Sequence, residues 1–133
     1  MWGANYFVAH LQKGTKGWIV WDKGQHGLTM SDCELAYSSF NKPTRVFTFN
    51  RSLIAQKGGS IHPTQKPVEL YRYLLNEYAE QGNKIFDSHL GSGSIAIACD
   101  DLGYDLTACE IDKDYFEKAN KRLKPYRNQQ ALF

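Results

Sequence analysis

Residues 84–94 read KIFDSHLGSGS, in which a short apolar run ends in an acid, Asp87, and a glycine–serine–glycine turn follows. The next segment, SIAIACDDLG (94–103), is rich in small residues and is predicted to be a helix closed by its final glycine. A strand-to-helix turn presents free backbone N–H groups and a helix dipole to an anionic group. Gly91 and Gly93 would let the backbone approach a ligand without a Cβ in between. Small residues at such a turn can also be purely structural, so the loop alone leaves both interpretations open.

The segments on either side of this loop predict an α/β fold. TQKPVELYRYLLNEYAEQGN (64–83) has apolar residues at helical spacing, with Thr64 as its N-cap and Pro67 in its first turn. Gly82 and Asn83 are predicted to end this helix, and KIFD (84–87) is predicted to be a short buried strand.

A second strand and helix are predicted after the loop. YDLTACE (104–110) is the strand, and DKDYFEKANKRLK (112–124) is a helix capped by Asp112, with Pro125 beyond its end. The predicted apolar face of this last helix consists of Tyr115, Phe116, Ala119 and Leu123. The order helix, strand, helix, strand, helix implies right-handed crossovers and a parallel sheet covered by helices on both faces.

The N-terminal part has a strand-like pattern. GWIVWDK (17–23), CELAYSSF (33–40) and TRVFTF (44–49) are aromatic and β-branched runs. The residues at 41–43, Asn-Lys-Pro, separate the last two runs and predict a hairpin. The polar stretch at 50–61 predicts a loop.

Composition excludes several classes of protein. The chain has 133 residues, 42% of them hydrophobic, which is typical of one small globular domain. No C-x-x-C occurs among its three cysteines, so we expect neither a disulfide framework nor a metal site. A signal peptide and a membrane-length apolar run are both absent from the sequence, and we expect a cytoplasmic protein of a bacterial or phage-infected cell.

The charge pattern is close to balanced, with 16 basic and 14 acidic residues and a net charge of +2, which does not by itself indicate a nucleic-acid partner. One basic run stands near the C-terminus: Lys118, Lys121, Arg122, Lys124 and Arg127. A solvated helix face is the favoured interpretation of this run, and a DNA contact is the alternative.

Two acids indicate which ligand the loop would accept. Glu110 ends the next predicted strand, roughly 20 residues after the loop, where an acid can accept hydrogen bonds from ribose hydroxyls. Asp87 ends the first strand, at the edge where open α/β sheets bind ligands. A carboxylate there suits a cationic group, such as the amino group of S-adenosylmethionine, better than a pyrophosphate. A dinucleotide oxidoreductase is therefore disfavoured, and G-x-G-x-x-G is also absent.

Three stretches together, HPTQKPVEL (62–70), FDSHLGSGS (86–94) and ACEID (108–112), closely resemble the S-adenosylmethionine-dependent DNA amino-methyltransferases. These enzymes methylate adenine at N6 or cytosine at N4. WGANYF (2–7) also resembles a W-G-G-N-Y-F segment of phage-type members. The resemblance implies a Rossmann-like methyltransferase sheet in the permuted order, S-adenosylmethionine as cofactor, DNA as partner and adenine as acceptor. It divides the chain into a strand-rich target-side half (1–61), a cofactor half (62–125) and a tail (126–133).

The resemblance also implies a set of cofactor-binding residues, which are Asp87, His89, Gly91, Ser92, Gly93, Glu110, Ile111, His62, Thr64 and Lys66. In this set Asp87 binds the amino group of the methionine moiety, Glu110 holds the ribose and Ile111 packs against the adenine. Lys66 is expected to meet the methionine carboxylate, and His62 flanks it. The alternatives are that Lys66 is an exposed first-turn lysine and His62 a satisfied loop histidine.

The chain departs from the family pattern in two respects. His89 stands where the D-P-F-x-G-S-G-T pattern has a large apolar residue. The catalytic signature, commonly D-P-P-Y, is absent, since the four prolines are isolated from one another. In permuted members it precedes W-G-G-N-Y-F, which here begins at Trp2. We therefore expect the central strand and the catalytic residues to lie outside this chain, which would be inactive alone. A truncated gene, a partner chain that carries the missing strand, and a non-catalytic remnant remain open.

The chain ends in NQQALF (128–133), which resembles the Gln-x-x-Leu-Phe peptide by which bacterial proteins bind the sliding clamp. Two apolar anchors and an orienting glutamine, here Leu132, Phe133 and Gln129, are a reasonable docking motif. A tail that packs on its own domain is the equal alternative.

Overall fold

The computed structural model of the chain describes residues 1–11, 13–56 and 59–130. These residues contain the strands β1 (Trp18–Asp22), β2 (Cys33–Tyr37), β3 (Arg45–Thr48), β4 (Lys84–Asp87) and β5 (Asp105–Ala108). They also contain the helices α1 (Ser52–Gln56), α2 (Val68–Tyr78), α3 (Ser94–Leu102) and α4 (Lys113–Gln130), and short 3₁₀ turns at Ala4–Tyr6 and Val8–His10. The chain divides into two compact units, Met1–Leu53 and Ile54–Phe133. None of the described helices has the length and hydropathy of a membrane-spanning segment.

The sheet of the first unit has β1 at its centre. β2 pairs antiparallel with one edge of β1, and β3 pairs parallel with the other. The predicted hairpin between β2 and β3 is therefore wrong, although all three strands are where the sequence predicts them. β1 carries the buried Ile19 and Trp21, and the Trp21 Nε1–H donates to the Phe49 carbonyl at 3.1 Å. Pairing on both edges of β1 protects this apolar strand better than a β2–β3 hairpin would.

Gly17 lets the β2–β3 connection cross the start of β1. The Ser38 N–H donates to the Gly17 carbonyl at 3.0 Å. A Cβ built on Gly17 would lie 2.6 Å from the Lys42 carbonyl oxygen and 3.0 Å from that of Phe40. The crossing backbone therefore occupies the space that a side chain would need at position 17.

The predicted loop at 50–61 contains the short helix α1, so that prediction is wrong over Ser52–Gln56. Asn50 begins this helix, because its Oδ1 accepts the Ser52 N–H at 2.9 Å and its carbonyl accepts the Leu53 N–H at 3.1 Å. A capping asparagine inside a polar stretch is easily mistaken for a turn residue, since the same side chain serves both purposes.

The second unit is built on the parallel pair β4–β5, in which Lys84 is opposite Asp105 and Asp87 is opposite Ala108. Its helices and strands share one apolar core, formed by Val68, Leu75, Leu90, Ala96, Ile97, Ala98, Cys99, Ala119 and Leu123. Ile85 packs against this core, whereas Phe86 is 66% exposed. The prediction of a buried strand is therefore wrong: Ile85 and Asp87 are partly buried and Lys84 and Phe86 are exposed, because successive side chains of a strand point to opposite faces.

The ends of α2 differ from the prediction. Thr64 is not its N-cap, because α2 begins at Val68, directly after Pro67 in an extended conformation (ψ 146°). The helix ends at Tyr78, and Glu80 and Asn83 close a separate turn, in which the Asn83 Oδ1 accepts the Glu80 N–H at 3.0 Å. The predicted end of α3 is confirmed, since its last residue is followed by Gly103 at φ +73°.

α4 begins as predicted and continues further than predicted. The Asp112 Oδ1 accepts the Tyr115 N–H at 3.0 Å, which confirms the cap. Pro125 lies inside the helix instead of beyond it. The turn after this proline is held against α3, because the Arg127 Nε–H donates to the Asp100 Oδ2 at 2.9 Å. This contact attaches the last part of α4 to α3, although proline removes one backbone hydrogen bond of the helix.

The predicted apolar face of α4 is correct for Ala119 and Leu123, which are buried, and Tyr115 is partly buried. It is wrong for Phe116, which is 46% exposed. The predicted clamp-binding residues Leu132 and Phe133 lie outside the described residues, and only the backbone of Gln129, in α4, is described.

Prediction: Gly17→Ala lowers the free energy of unfolding of the first unit by about 1–3 kcal/mol, because the new Cβ meets backbone oxygens that cannot move independently. Gly14→Ala is the matched control, since a Cβ at Gly14 has nothing within 4 Å. Urea unfolding followed by tryptophan fluorescence measures this unit specifically, as all three tryptophans, Trp2, Trp18 and Trp21, lie in it. Equal losses for the two variants would contradict the crossing.

Candidate functional site

The glycine loop between β4 and α3 needs glycine for its backbone. Gly91 has φ +54° and Gly93 has φ +72°, both in the left-handed region. The Gly93 N–H donates to the Leu90 carbonyl at 3.0 Å, which closes the turn. A Cβ on Gly93 would also lie 3.2 Å from the Ala119 Cβ, so α4 packs where a side chain would project. Glycine is therefore required here by the backbone and by packing, and both interpretations of the loop stay open.

Glu110 joins the glycine loop to the end of β5. Its Oε2 accepts the Gly91 N–H at 2.7 Å and its Oε1 accepts the Asp112 N–H at 3.0 Å. These hydrogen bonds, first the one from Asp112 and then the one from Gly91, lower the pKa of the Glu110 carboxyl below its ordinary value. A carboxylate offers about four acceptor positions. Glu110 is therefore held as an anion, and after a further backbone hydrogen bond from Ile111 it keeps part of its acceptor capacity for a ligand hydroxyl.

His62 and Thr64 lie beside the loop, as the resemblance implies. The His62 ring is 4.3 Å from the Tyr115 ring, centroid to centroid, and a Cβ on Gly91 would lie 3.8 Å from it. The His62 Nδ1 accepts the Thr64 N–H at 3.2 Å. A neutral His62 therefore carries its proton on Nε2, an assignment that follows from the hydrogen-bond network.

Tyr115 was not predicted as a site residue. The sequence places it on an apolar helix face, and its position in the first turn of α4 brings its ring to His62. Lys118 also lies over the Tyr115 ring, with its Nζ 5.3 Å from the ring centroid. The sequence offered one signal for Tyr115, namely an aromatic residue three positions after the Asp112 cap. An aromatic residue at such a position is too common to indicate a site.

Lys66 and its neighbour Gln65 hold the HPTQKP segment in place. The Lys66 carbonyl accepts the Ser94 Oγ–H at 2.7 Å. Gln65 is buried, and its Oε1 accepts the Ile61 N–H at 3.0 Å. The segment is thus hydrogen-bonded to the first residue of α3, and the buried Gln65 side chain fixes its own backbone. Gln65 was not predicted as a site residue. The expected contact of the Lys66 ammonium with a ligand carboxylate stays a prediction.

Asp87 and Glu110 lie at the same edge of the sheet. The Cys109 N–H donates to the Asp87 carbonyl at 2.9 Å, so the two parallel strands end side by side. The Asp87 Oδ1 accepts the His89 N–H at 3.0 Å, and the His89 Nδ1 lies 2.8 Å from the Ser88 Oγ.

Two predicted site residues turn exposed side chains away from this cluster, although their backbone N–H groups bond to its two acids. His89 is exposed, and Ile111 is fully exposed, so neither is packed among the other site residues. Exposure of Ile111 is compatible with an apolar surface for a flat ring, and this role remains a prediction. The structure therefore brings together His62, Thr64, Gly91, Gly93 and Glu110 around the loop, with Asp87 at the adjoining strand end.

The basic run of α4 is not uniformly solvated. Arg122 is partly buried, and its Nη1 donates to the Ser92 carbonyl at 2.9 Å. Burial lowers the pKa of the Arg122 guanidinium. The interpretation of this run as a solvated face is wrong for Arg122, because the residue points toward the glycine loop.

Comparison with known proteins gave consistent matches. A model of the N6/N4 methyltransferase family, described as DNA methylase, matches residues 7–121. The chain is 32% identical over 81 residues to the type II methyltransferase M.HpaI of Haemophilus parainfluenzae. It is 30% identical over 79 residues to the type II methyltransferase M2.DpnII of Streptococcus pneumoniae. The two matches cover 61% and 59% of this chain, but only 26% and 30% of these relatives.

A solved structure supports the fold. The crystal structure of the M1.HpyAVI–SAM complex superposes with a TM-score of 0.62 at 23% identity. The superposition covers 82% of this chain and 62% of that one. This likeness confirms the predicted α/β methyltransferase fold.

Prediction: the amide resonance of Gly91 reports the ionisation of Glu110. The pKa of Glu110 lies below its ordinary value of 4.5, so the hydrogen bonds of the carboxylate contribute stability above that pH and are lost as the pH falls through the lower, folded-state pKa. An NMR titration should show the Gly91 amide shift changing with a midpoint below pH 4.5.

The control for this titration is Glu117→Gln, which alters an exposed glutamate of α4 and should leave the Gly91 curve unchanged. Glu110→Gln should abolish the transition. A transition at or above the ordinary glutamate value in the unaltered protein would contradict the hydrogen-bond assignment.

Proposed function

Because the chain belongs to the N6/N4 DNA methylase family, we propose that it provides the S-adenosylmethionine-binding part of a DNA amino-methyltransferase. The observation that carries this proposal is the hydrogen bond from the Gly91 N–H to Glu110, which joins the glycine loop to an ionised acid at the end of the neighbouring strand. His62 lies against the same loop, and Asp87 ends the adjoining strand.

The chemistry of these residues fits the cofactor. Asp87 has one oxygen, Oδ1, occupied by the His89 N–H, which leaves its other oxygen for the amino group of the methionine moiety. Glu110 accepts a ribose hydroxyl with its remaining acceptor capacity. Two carboxylates at one edge favour a ligand with cationic groups and disfavour a pyrophosphate. A dinucleotide oxidoreductase is therefore the weaker candidate.

The other implied residues act on the methionine end. His62 and Thr64 form the side of the site next to Gly91, and Lys66 offers an ammonium for the carboxylate. When bound, S-adenosylmethionine supplies the methyl group that is transferred to an exocyclic amino nitrogen. Gly91, which carries no Cβ beside the His62 ring, lets the backbone approach the cofactor closely.

DNA is the proposed substrate, and the adenine N6 amino group is the proposed acceptor, with cytosine N4 as the other outcome. A target base must be flipped out of the duplex, at a cost of a few kcal/mol, before its amino group can reach a donor. The D-P-P-Y signature, which would stack on the base and orient its amino group, does not occur in the sequence. We propose that a strand outside these 133 residues supplies it, and that the reaction takes place in the cytoplasm.

Prediction: isothermal titration calorimetry detects S-adenosylmethionine binding, and Asp87→Asn weakens the affinity roughly tenfold to a hundredfold. The reason is that the carboxylate that would accept a hydrogen bond from the cationic amino group becomes a neutral amide. Asp105→Asn is the matched control. It alters an exposed acid at the opposite end of the neighbouring strand and should leave the affinity unchanged. Absence of binding, or equal effects of the two substitutions, would contradict the proposed site.

The same preparation, supplied with tritiated cofactor and DNA, tests the reaction. The 133 residues alone should give no methylated DNA, and addition of a polypeptide that carries the D-P-P-Y strand should restore transfer. Nucleoside analysis of the product then distinguishes N6-methyladenine from N4-methylcytosine. Methylation by the chain alone would disprove the requirement for a second segment. Cofactor binding without transfer in either condition would favour a non-catalytic remnant.

Prediction: the C-terminal residues bind the bacterial sliding clamp. This second proposal rests on Gln129, Leu132 and Phe133 of the tail. Immobilised clamp should retain the chain, and the double substitution Leu132→Ala and Phe133→Ala should abolish retention, because both apolar anchors are lost. Asn128→Ala, which precedes the motif, is the control. Retention that survives the double substitution would disprove the clamp contact.

A further inference from the structure

Arg122 makes two inward hydrogen bonds that the proposed function does not use. It lies on α4 and is partly buried, and its Nη1 donates to the Ser92 carbonyl and to the Ser94 Oγ, both at 2.9 Å. The two acceptors belong to the glycine loop and to the first residue of α3. A single nitrogen of the guanidinium therefore joins α4 to both.

The hydrogen bonds continue beyond Ser94. The Ser94 Oγ donates its one hydrogen to the Lys66 carbonyl at 2.7 Å, so in the 3.1 Å contact between the two serine hydroxyls Ser92 must be the donor. Ser92 and Ser94 are both buried. A continuous network thus runs from Arg122 through the loop to the HPTQKP segment, out of reach of competing water.

The packing of α4 brings Arg122 within reach. Ala119 lies close against Gly93: a Cβ built on Gly93 would be 3.2 Å from the Cβ of Ala119. Arg122 follows Ala119 by three positions and therefore lies on the same face of the helix. A side chain at position 93 would displace Ala119 by a few tenths of an ångström and would strain the backbone, because Gly93 has φ +72°.

We propose that Arg122 is a positioning residue of the cofactor site, which holds the glycine loop and the Lys66 backbone in their binding arrangement. This inference rests on the proposed function. Without the guanidinium, the carbonyl of the buried Ser92 loses this donor and the Ser94 hydroxyl loses one of its two, and a buried acceptor without its donor is unfavourable. The loop then relaxes, which displaces the Gly91 N–H from Glu110 and the Lys66 backbone from the site.

The test compares cofactor affinity among variants of the full chain by calorimetry. Arg122→Met keeps the apolar stem and removes the donors, and Ser94→Ala cuts the link to Lys66. Each should weaken S-adenosylmethionine binding by about tenfold. Arg122→Lys restores a cation with several donors and should bind more tightly than Arg122→Met. Arg127→Met is the matched control, because it removes an arginine of the same helix that pairs with Asp100, and its affinity should change less than about twofold.

Amide hydrogen exchange without cofactor supplies a second measurement. Arg122→Met should accelerate exchange at Gly91 and Gly93 by about tenfold, and Arg127→Met should not. If the unaltered chain does not bind S-adenosylmethionine, the proposed function fails, and the exchange rates still decide the role of Arg122. Should Arg122→Met not fold, Ser94→Ala is decisive. Unaltered affinity and exchange in the folded Arg122→Met or Ser94→Ala variant, or equal effects of Arg127→Met, would overturn the proposal.

Discussion

The close packing of α4 on Gly93 is the contact on which the second unit's site depends. Because position 93 has no side chain, Ala119 approaches the loop, and Arg122 on the same helix face reaches the Ser92 carbonyl. The left-handed conformation of Gly93 also turns the chain into α3. Conformation and packing thus both require glycine at this position, and any other residue at position 93 would have to shift the neighbouring part of α4.

The electrostatic character of the site follows from the parallel pairing of β4 and β5. Parallel strands end at the same edge of a sheet. Asp87 is the last residue of β4 and Glu110 follows the end of β5 by two residues, so both acids lie at that edge. Glu110 is kept ionised by backbone N–H groups of the loop and of the α4 cap. The loop therefore contributes both a surface without side chains and the hydrogen bonds that hold the acid beside it.

The predictions from sequence succeeded where the determining interaction is local. The five strands, the end of α3 at Gly103 and the Asp112 cap all depend on neighbouring residues, and all are present. Two failures involve distant partners. The hairpin gave way to pairing on both edges of β1, because the connection crosses over Gly17. α4 continues through Pro125, where Arg127 of the following turn contacts Asp100 of α3.

The sequence by itself determined the type of site, because HPTQKP, the glycine loop and the acid of ACEID are short motifs whose residue types carry the chemistry. His62, Thr64, Gly91 and Glu110 were found in this way, and they do lie together. Only the tertiary structure decided that Tyr115 packs on His62, that Gln65 is a buried brace and that Arg122 turns inward from a basic run. Spacing along the sequence does not reveal these roles, because each depends on contacts that only the folded chain brings about.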